Sequence, residues 1–229
     1  RAVASWPNAP VEILAVRIRP AWWIPAVVGV GTLAAVAILL LPADPPLPGI
    51  VRDPAPNVED LVFDDVWERD RPAPADLVPA EGEVTAAYFG YLSCPDMCPL
   101  TMGDLRRARQ LLGDDLAERT TVAFVTLDPA RDGPEELQRY LGLFFDHGVR
   151  ALTAPDEATL AAATERLGVR YEVAEHEPGA TEYEVLHSAI TYVIDDRGEV
   201  VRELPFGTTA EEYARVLRVM LTDPPDRSS

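Results

Sequence analysis

The stretch from Val84 to Pro99 reads VTAAYFGYLSCPDMCP and combines two kinds of pattern. The residues from Val84 to Tyr91 are mostly apolar, β-branched and aromatic, which is typical of a buried strand. A helical period then begins at Pro99. Its apolar positions are Leu105, Ala108, Leu111 and Leu112. The sequence therefore predicts a buried strand, a short loop that contains two cysteines, and a helix.

Strand and helix patterns continue to alternate further along the chain. The predicted elements are strands at Thr121–Leu127 and Val149–Leu152 and helices over 135–145 and 156–167. The strands are short apolar runs, whereas the helices place apolar residues three and four positions apart. In front of the first of these helices, Asp132 and Glu135 predict a capping box.

The C-terminal third of the sequence predicts a hairpin and a closing helix. Ala189–Ile194 and Val200–Leu204 read as antiparallel strands on either side of a turn at 195–198. A helix capped by Thr208 or Thr209 follows. Together with the preceding elements, this order predicts an α/β fold with a central mixed sheet flanked by helices.

The N-terminal part predicts a membrane anchor. Residues 21–41 (AWWIPAVVGVGTLAAVAILLL) carry no charge over a length sufficient to cross about 30 Å of hydrocarbon. Arg17 and Arg19 precede them, so the positive-inside rule predicts a cytoplasmic segment at 1–20 and export of the rest. A cleaved signal peptide with a site at 35–37 is the alternative, although the apolar run is longer than that of an ordinary signal.

These features predict one exported domain on an anchor. The Pro-rich residues 42–57 predict a stiff, extended linker. Residues 58–223 are predicted to form the domain, and residues 224–229 a short tail. The predicted location is the exported side of the plasma membrane, most simply a bacterial one, with the mitochondrial inner membrane as the alternative.

The chain is strongly acidic, with a formal net charge of −18, and all of its basic residues are Arg. An acidic surface repels phosphate backbones, so a nucleic-acid partner is not expected. The 2 Cys and 3 His residues are too few for a disulfide scaffold or a zinc-finger array. The two cysteines are therefore expected to act as one pair.

Cys94 and Cys98 lie between the predicted strand and the start of the predicted helix. The amide groups and the dipole of a helix N-terminus favour an anion, so a thiolate forms there more easily than at the ordinary cysteine pKa of about 8.5. A purely structural disulfide across about five residues would remove only about 2 kcal/mol of chain entropy. Two buried apolar cysteines fit poorly with a loop that contains Pro and Asp.

Among the histidines, His187 is the candidate for chemistry. His147 is predicted at a helix end, and His176 lies in the acidic, irregular stretch 172–186, so a structural or solvated role is predicted for each. His187 immediately precedes the predicted strand Ser188–Ile194. A single histidine at a strand end is usually structural, and only its pairing with the cysteine loop makes it a candidate ligand.

Three blocks of sequence occur in a particular order and spacing. They are YFGYLSCPDMCP at 88–99, TLDPARDGPE at 126–135 and the segment His187–Asp195. Together, across residues 58–221, they resemble the Sco/SenC family of thioredoxin-like, copper-binding assembly factors of cytochrome c oxidase. The resemblance implies a thioredoxin-like fold in which Cys94, Cys98 and His187 ligate copper. It also implies a partner, the copper-site subunit of the oxidase. The domain would load copper into the binuclear site of that subunit or reduce the cysteines of the site.

The residue types agree with this implication. Two thiolates and one imidazole suit Cu(I) in a three-coordinate site, whereas structural zinc takes a fourth protein ligand. Met97 and Met102 could add a thioether, but packing against the sheet is predicted for both. Asp96, Asp128 and Asp132 could order the loop, with a turn at Asp128 and a helix cap at Asp132 as the alternatives.

The sequence thus predicts a membrane-anchored copper metallochaperone rather than an enzyme. A Cys94–Cys98 disulfide would leave no thiolates, so redox state is expected to control metal binding. The alternative is a membrane-tethered thiol–disulfide oxidoreductase in which one cysteine attacks and the other resolves, with no need for His187. Three residues separate Cys94 from Cys98, one more than in the thioredoxin-type Cys-x-x-Cys motif. A peroxiredoxin-like peroxidase and a binding module with a passive disulfide are further alternatives.

Overall fold

The computed structural model describes residues 45–67, 72–177, 180 and 182–224. The predicted cytoplasmic segment 1–20 and the predicted anchor 21–41 lie outside these residues. The last residues of the predicted tail, 225–229, also lie outside them. None of the helices within the described ranges has both the length and the apolar character needed to cross a bilayer.

The described residues form nine strands and five helices. The strands are β1 (Val62–Asp65), β2 (Ala73–Asp76), β3 (Val84–Gly90), β4 (Thr120–Thr126), β5 (Val149–Thr153), β6 (Tyr171–Val173), β7 (Val185–His187), β8 (Ile190–Ile194) and β9 (Val200–Pro205). The helices are α1 (Met97–Leu112), α2 (Asp114–Glu118), α3 (Pro134–Leu141), α4 (Glu157–Leu167) and α5 (Ala210–Thr222).

Seven of the strands form one mixed sheet in the order β2-β1-β5-β4-β3-β8-β9. Strands β3, β4 and β5 run parallel, and the other neighbours in this sheet pair antiparallel. Every residue of β3 is buried, because both faces of the sheet are covered. The predicted α/β architecture with a central mixed sheet and flanking helices is confirmed.

Successive residues of β3 contribute to two different cores. Tyr88 points to the face that is covered by α1, α3 and α5. Phe89 points to the opposite face, which α4 covers with Leu160, Ala163 and Leu167. This alternation follows from the two-residue period of a strand. It places the C-terminal end of β3 between two packed layers, and the cysteine loop follows directly from there.

Two helix boundaries differ from the prediction by two residues or more. Helix α1 begins at Met97, two residues before the predicted start at Pro99. Helix α3 ends at Leu141, although the predicted helix continued to residue 145. The continuing apolar period misled the prediction there, because Phe145 packs into the core from the turn that follows the helix. The predicted capping box is also wrong: Gly133 occupies the N-cap position of α3 and no side chain caps it.

Part of the predicted linker 42–57 lies along the outer edge of the sheet. Ile50 and Glu203 of β9 exchange two backbone hydrogen bonds of 2.9 and 2.8 Å. Asn57 forms a second bridge with Glu199. Residues 45–57 contain bends and two isolated bridges, and at these two points their backbone pairs with the domain.

The acidic stretch 172–186, which was predicted to be irregular, contributes to two short strands. Strands β6 and β7 pair antiparallel as a separate two-stranded sheet, with Tyr171 opposite His187. We call β6, β7 and the described residues between them (171–177, 180 and 182–187) the His187 hairpin. His187 is therefore the last residue of β7, whereas the prediction placed it just before the next strand, and β8 begins at Ile190.

Candidate metal centre

Three potential metal ligands from distant parts of the sequence meet beyond the C-terminal end of β3. The Sγ atoms of Cys94 and Cys98 and a ring nitrogen of His187 all lie within 4.8 Å of one another. His187 Nε2 is 3.6 Å from Cys98 Sγ. An ion bound at about 2.0–2.3 Å from each donor places such donors roughly 4 Å apart. Small side-chain adjustments therefore suffice for the three to hold one ion.

The cysteine loop is closed by backbone contacts at the start of α1. The Cys94 amide donates to the Tyr91 carbonyl at 3.3 Å. The Cys98 amide, in the first turn of the helix, donates to Cys94 Sγ at 3.4 Å. A helix leaves its first four amides without partners inside the helix, and Asp96 at the N-cap position provides no side-chain cap. The sulfur of Cys94 therefore takes the place of a capping oxygen.

The pKa values of the two cysteines are shifted in opposite directions. The Cys98 thiol, followed by His187 and the amides of Cys98 and Asp96, lowers the pKa of Cys94 to about 4, although burial opposes this. In return, the Cys94 sulfur and then burial raise the pKa of the Cys98 thiol above its ordinary value. The pair therefore holds one proton at neutral pH, with a thiolate at Cys94 and a thiol at Cys98. Metal binding to both sulfurs would release that proton.

The two sulfurs also differ in accessibility. Cys94 and His187 line a cavity of about 580 Å³, together with Met97 and Glu184. Cys94 retains 6% of its surface, whereas Cys98 is fully buried at 0%. A reagent or a partner molecule therefore reaches Cys94 and His187 first.

The His187 ring is oriented by the backbone and by two tyrosines. Its Nδ1 lies 3.2 Å from the Ser188 carbonyl oxygen. Because a carbonyl only accepts, we assign the hydrogen to Nδ1 and leave Nε2 free to bind a metal. The rings of Tyr88 and Tyr91 stand nearly perpendicular to the imidazole, with centroids at 6.0 and 5.6 Å.

Two residues of β3 accommodate the sulfur of Cys98: one donates a hydrogen bond to it and the other leaves space for it. The Tyr88 hydroxyl donates to Cys98 Sγ at 3.7 Å. A Cβ atom at Gly90 would lie 2.9 Å from the same sulfur and 2.8 Å from the Tyr88 ring. Glycine is therefore needed at position 90 for this close approach. Neither role could be predicted from the sequence, because both residues fit the pattern of an ordinary buried strand.

Asp132, in the segment between β4 and α3, supports the cysteine loop. Its Oδ2 accepts hydrogen bonds from the Leu92 amide at 3.1 Å and from the Thr126 hydroxyl at 2.6 Å. Burial raises the pKa of Asp132 to about 6. The carboxylate therefore orders the cysteine loop, and it does not cap α3.

A second polar cluster holds the His187 hairpin against the loop that follows β4. Arg131 forms an ion pair with Asp128 and donates to the Tyr183 carbonyl at 2.9 Å. The Tyr183 hydroxyl donates to Asp128 at 2.7 Å, and the guanidinium lies 3.5 Å from the centre of the Tyr183 ring. The Asp128 carbonyl also accepts from the amides of Arg131 and Asp132, so the predicted turn is present as well. No pattern in the sequence had identified Tyr183.

The remaining candidates lie outside the donor group. Met102 is fully buried in the core, and Met97 packs partly against the same core while lining the cavity. Asp96 is exposed. His147 is exposed in the loop before β5, and the ring of exposed His176 stacks on that of Tyr183 at 3.9 Å.

Residues 73–222 match the family model described as SCO1/SenC. The chain belongs to the SCO1/SenC family. Among curated SCO relatives, the SCO2-like protein of Rickettsia typhi is 28% identical over 137 residues, which cover 60% of this chain and 66% of that protein. Protein SCO1, mitochondrial, of Saccharomyces cerevisiae is 30% identical over 123 residues, which cover 54% of this chain and 41% of that protein. The matched region thus spans less than two thirds of the length of these relatives.

Solved structures of Sco proteins share the fold. The apo Sco1 protein from Thermus thermophilus superposes with a TM-score of 0.65 at 28% identity, covering 79% of this chain and 100% of the other. ScoI of Bradyrhizobium japonicum, solved with copper bound, superposes with a TM-score of 0.60 at 26% identity, covering 71% and 98% of the two chains. The resemblance that was identified in the sequence is confirmed, together with the Sco-type fold of the described domain.

Proposed function

We propose that this chain is a copper metallochaperone that serves the binuclear copper site of cytochrome c oxidase. The observation that carries the proposal is the convergence of Cys94, Cys98 and His187 on one point. Membership of the SCO1/SenC family and the likeness to a Sco protein solved with copper bound support it. The copper ion is the cargo of this protein, and the copper-site subunit of the oxidase is its partner.

The donor set favours copper over zinc. Thiolate and imidazole ligands suit Cu(I), which accepts low coordination numbers. Structural zinc sites use four protein ligands, and within the described residues no fourth His, Cys, Asp or Glu joins the three. The Tyr88 hydroxyl and the Ser188 carbonyl hold Cys98 and His187 in orientations in which both can bind the ion.

The geometry of the site also provides a route by which copper can pass to a partner protein. The cavity gives a partner's thiolate access to Cys94 and His187, while Cys98 stays behind them. A partner's cysteine can thus replace the accessible ligands first, and the buried sulfur leaves last. Reduced thiols are required throughout, because a Cys94–Cys98 disulfide has no free thiolate to offer.

We further propose that residues 21–41 anchor the domain on the exported side of the plasma membrane. The uncharged run and the preceding Arg17 and Arg19 support this topology.

A Cu(I) titration of the reduced protein against a chromophoric chelator tests the proposal. We expect one copper per chain, with the affinity at least 100-fold weaker in His187→Ala, because replacing even an outer partner of a metal ligand costs about 10–100-fold. His176→Ala is the matched control, since His176 lies in the same hairpin but outside the donor group, and its affinity should equal that of the wild type. Unchanged affinity in His187→Ala would contradict the proposal.

A thiol–disulfide oxidoreductase is the second candidate function, and the unequal cysteine pair favours it. The Cys94 thiolate attacks one sulfur of the partner's disulfide, forms a mixed disulfide with it and releases the other sulfur as a thiolate. Cys98 then gives its proton to that thiolate and attacks Cys94, which breaks the mixed disulfide and releases the partner's second sulfur as a thiolate. The partner has gained two electrons, and a Cys94–Cys98 disulfide remains. His187→Ala should retain this single-turnover reduction while losing copper affinity. If reduction alone persists and the wild type binds no copper, the oxidoreductase is the function.

A further inference from the structure

The Tyr88 side chain contacts two of the three proposed copper ligands. Its hydroxyl donates to Cys98 Sγ at 3.7 Å, and its ring is nearly perpendicular to that of His187 at 6.0 Å. Tyr88 is fully buried. The hydroxyl therefore acts on the sulfur without competition from solvent.

The backbone around Tyr88 is held rigidly. Tyr88 lies opposite Phe124 of the parallel neighbour β4 and opposite Thr191 of the antiparallel neighbour β8. Its ring also packs against that of Phe124 at 6.2 Å. Because β3 is an interior strand that is paired on both sides, the hydroxyl has little freedom to follow a displaced sulfur.

The sulfur is confined from the other sides as well. The missing side chain at Gly90 lets Cys98 Sγ approach the strand, and Thr101, one turn further along α1, lies beside the Tyr88 hydroxyl. The position of Cys98 Sγ is thus set by β3, whereas Cys94 belongs to the loop. A disulfide would require the two sulfurs to move to about 2.05 Å from each other.

We propose that Tyr88 is a positioning residue that holds Cys98 Sγ in its metal-binding place and favours the dithiol over the disulfide. In the metal-bound form Cys98 is a thiolate, which accepts a hydrogen bond more strongly than a neutral sulfur does. In the metal-free dithiol the hydroxyl holds the Cys98 thiol at 3.7 Å, and formation of the disulfide would draw the sulfur away from this position. A disulfide sulfur gains less from the same donor. The copper part of this inference rests on the proposed function, whereas the dithiol part does not.

The dithiol–disulfide equilibrium of the metal-free protein tests the inference. In glutathione buffers, the two thiols lose two electrons and two protons, and glutathione disulfide is reduced to two molecules of glutathione. We expect Tyr88→Phe, which removes only the hydroxyl, to shift the equilibrium constant about tenfold towards the protein disulfide. For a two-electron couple this shift equals about 30 mV.

Tyr213→Phe is the matched control. Tyr213 is also buried on this side of the sheet, and its hydroxyl is hydrogen-bonded to that of Thr191 at 2.8 Å rather than to a sulfur. The dithiol–disulfide equilibrium constant of Tyr213→Phe with glutathione should equal that of the wild type. An equilibrium in Tyr88→Phe that also equals the wild-type value would overturn the inference.

Two further measurements separate the possible failures. Cu(I) affinity should fall in Tyr88→Phe and should equal the wild-type affinity in Tyr213→Phe. If the wild type binds no copper, the proposed function fails, but the comparison of glutathione equilibria still decides the role of Tyr88. If Tyr88→Phe is folded but less stable, a double-mutant cycle with Cys98→Ala measures the coupling between hydroxyl and sulfur in the free energy of unfolding. Zero coupling would equally overturn the inference.

Discussion

The Leu92 amide donates a hydrogen bond of 3.1 Å to Asp132 Oδ2, and this contact connects the cysteine loop to the segment that follows β4. The same oxygen accepts from the Thr126 hydroxyl at 2.6 Å. Asp132 is buried, and burial raises its pKa to about 6. The carboxyl group that orders the loop is therefore in a protonation equilibrium at mildly acidic pH.

We expect the Asp132 contribution to make folding stability fall as pH rises from about 4 to about 6. The pKa of Asp132 is higher in the folded state than its ordinary value of 3.8, so the folded protein binds more protons in this window. The contribution is complete below the ordinary pKa and is lost as pH rises through the folded-state pKa. The shift of about two pKa units corresponds to about 3 kcal/mol.

Denaturant unfolding across this pH range measures the effect. In Asp132→Asn the decrease between about pH 4 and 6 should largely disappear. Asp115→Asn, at an exposed position of α2, should keep the wild-type profile. Identical profiles in the wild type and Asp132→Asn would refute the assignment.

Gly90→Ala should damage both the fold and the site. The added Cβ atom would lie 2.9 Å from Cys98 Sγ, so the sulfur and the first turn of α1 must move. We expect a loss of about 1–3 kcal/mol in the free energy of unfolding and a weaker Cu(I) affinity. Gly103→Ala is the control, because nothing lies within 4 Å of the added atom and alanine favours a helix. The prediction fails if both variants behave alike.

Arg131→Gln should loosen the His187 hairpin. The substitution removes the ion pair with Asp128 and the contact with the Tyr183 ring. We expect faster hydrogen exchange over 171–187 and about tenfold weaker Cu(I) affinity, comparable to the loss of an outer partner of a ligand. Arg139→Gln, which removes an exposed ion pair with Glu136, should change neither measurement.

Loss of Arg131 also leaves the buried Asp128 carboxylate without its ion-pair partner, which can cost about 3–5 kcal/mol. Tyr183→Phe separates this cost from the effect on the hairpin. It keeps the ion pair and removes only the 2.7 Å hydrogen bond to Asp128. A smaller increase in exchange over the same residues is expected, and no increase in either variant would show that this cluster does not hold the hairpin.

Cys94 should be alkylated before Cys98 and at unusually low pH. Its pKa of about 4 makes it a thiolate at neutral pH, and it is the more exposed sulfur of the two. In Cys98→Ala the strongest cause of the lowered pKa is lost, so the pH profile of Cys94 alkylation should move upwards, towards that of an ordinary cysteine. Iodoacetamide labelling followed by peptide mass spectrometry measures both effects. Equal labelling of the two wild-type cysteines would contradict the prediction.

The cysteine site could be predicted because its parts are chemically distinctive and mostly local. Cys94 and Cys98 lie in one loop between a strand and a helix whose patterns are clear, and only His187 is distant. Tyr183 could not be predicted, since its role comes from a tertiary contact with Asp128 and Arg131. Tyr88 carried no signal either, because a hydroxyl on a buried strand does not reveal its partner.

Local patterns also failed where tertiary packing determines the structure. The apolar period of α3 continues into Phe144 and Phe145, although the helix ends earlier, because these rings pack from a turn. Asp132 has the spacing of a helix cap, but its carboxylate accepts hydrogen bonds from Thr126 at the end of β4 and from the Leu92 amide in the cysteine loop. In both cases a long-range contact outweighed a local preference.

The pairing of Ile50 with Glu203 in β9, and of Asn57 with Glu199 just before it, has a consequence for solubility. Strand β9 is the last strand of the sheet, and an uncovered edge of this kind presents free amide and carbonyl groups to the strands of other molecules. Two residues along that edge, Glu199 and Glu203, already pair with the chain's own upstream segment. A protein trimmed to start at Val58 would lose this cover and is expected to aggregate edge to edge, even with Cys94, Cys98 and His187 intact.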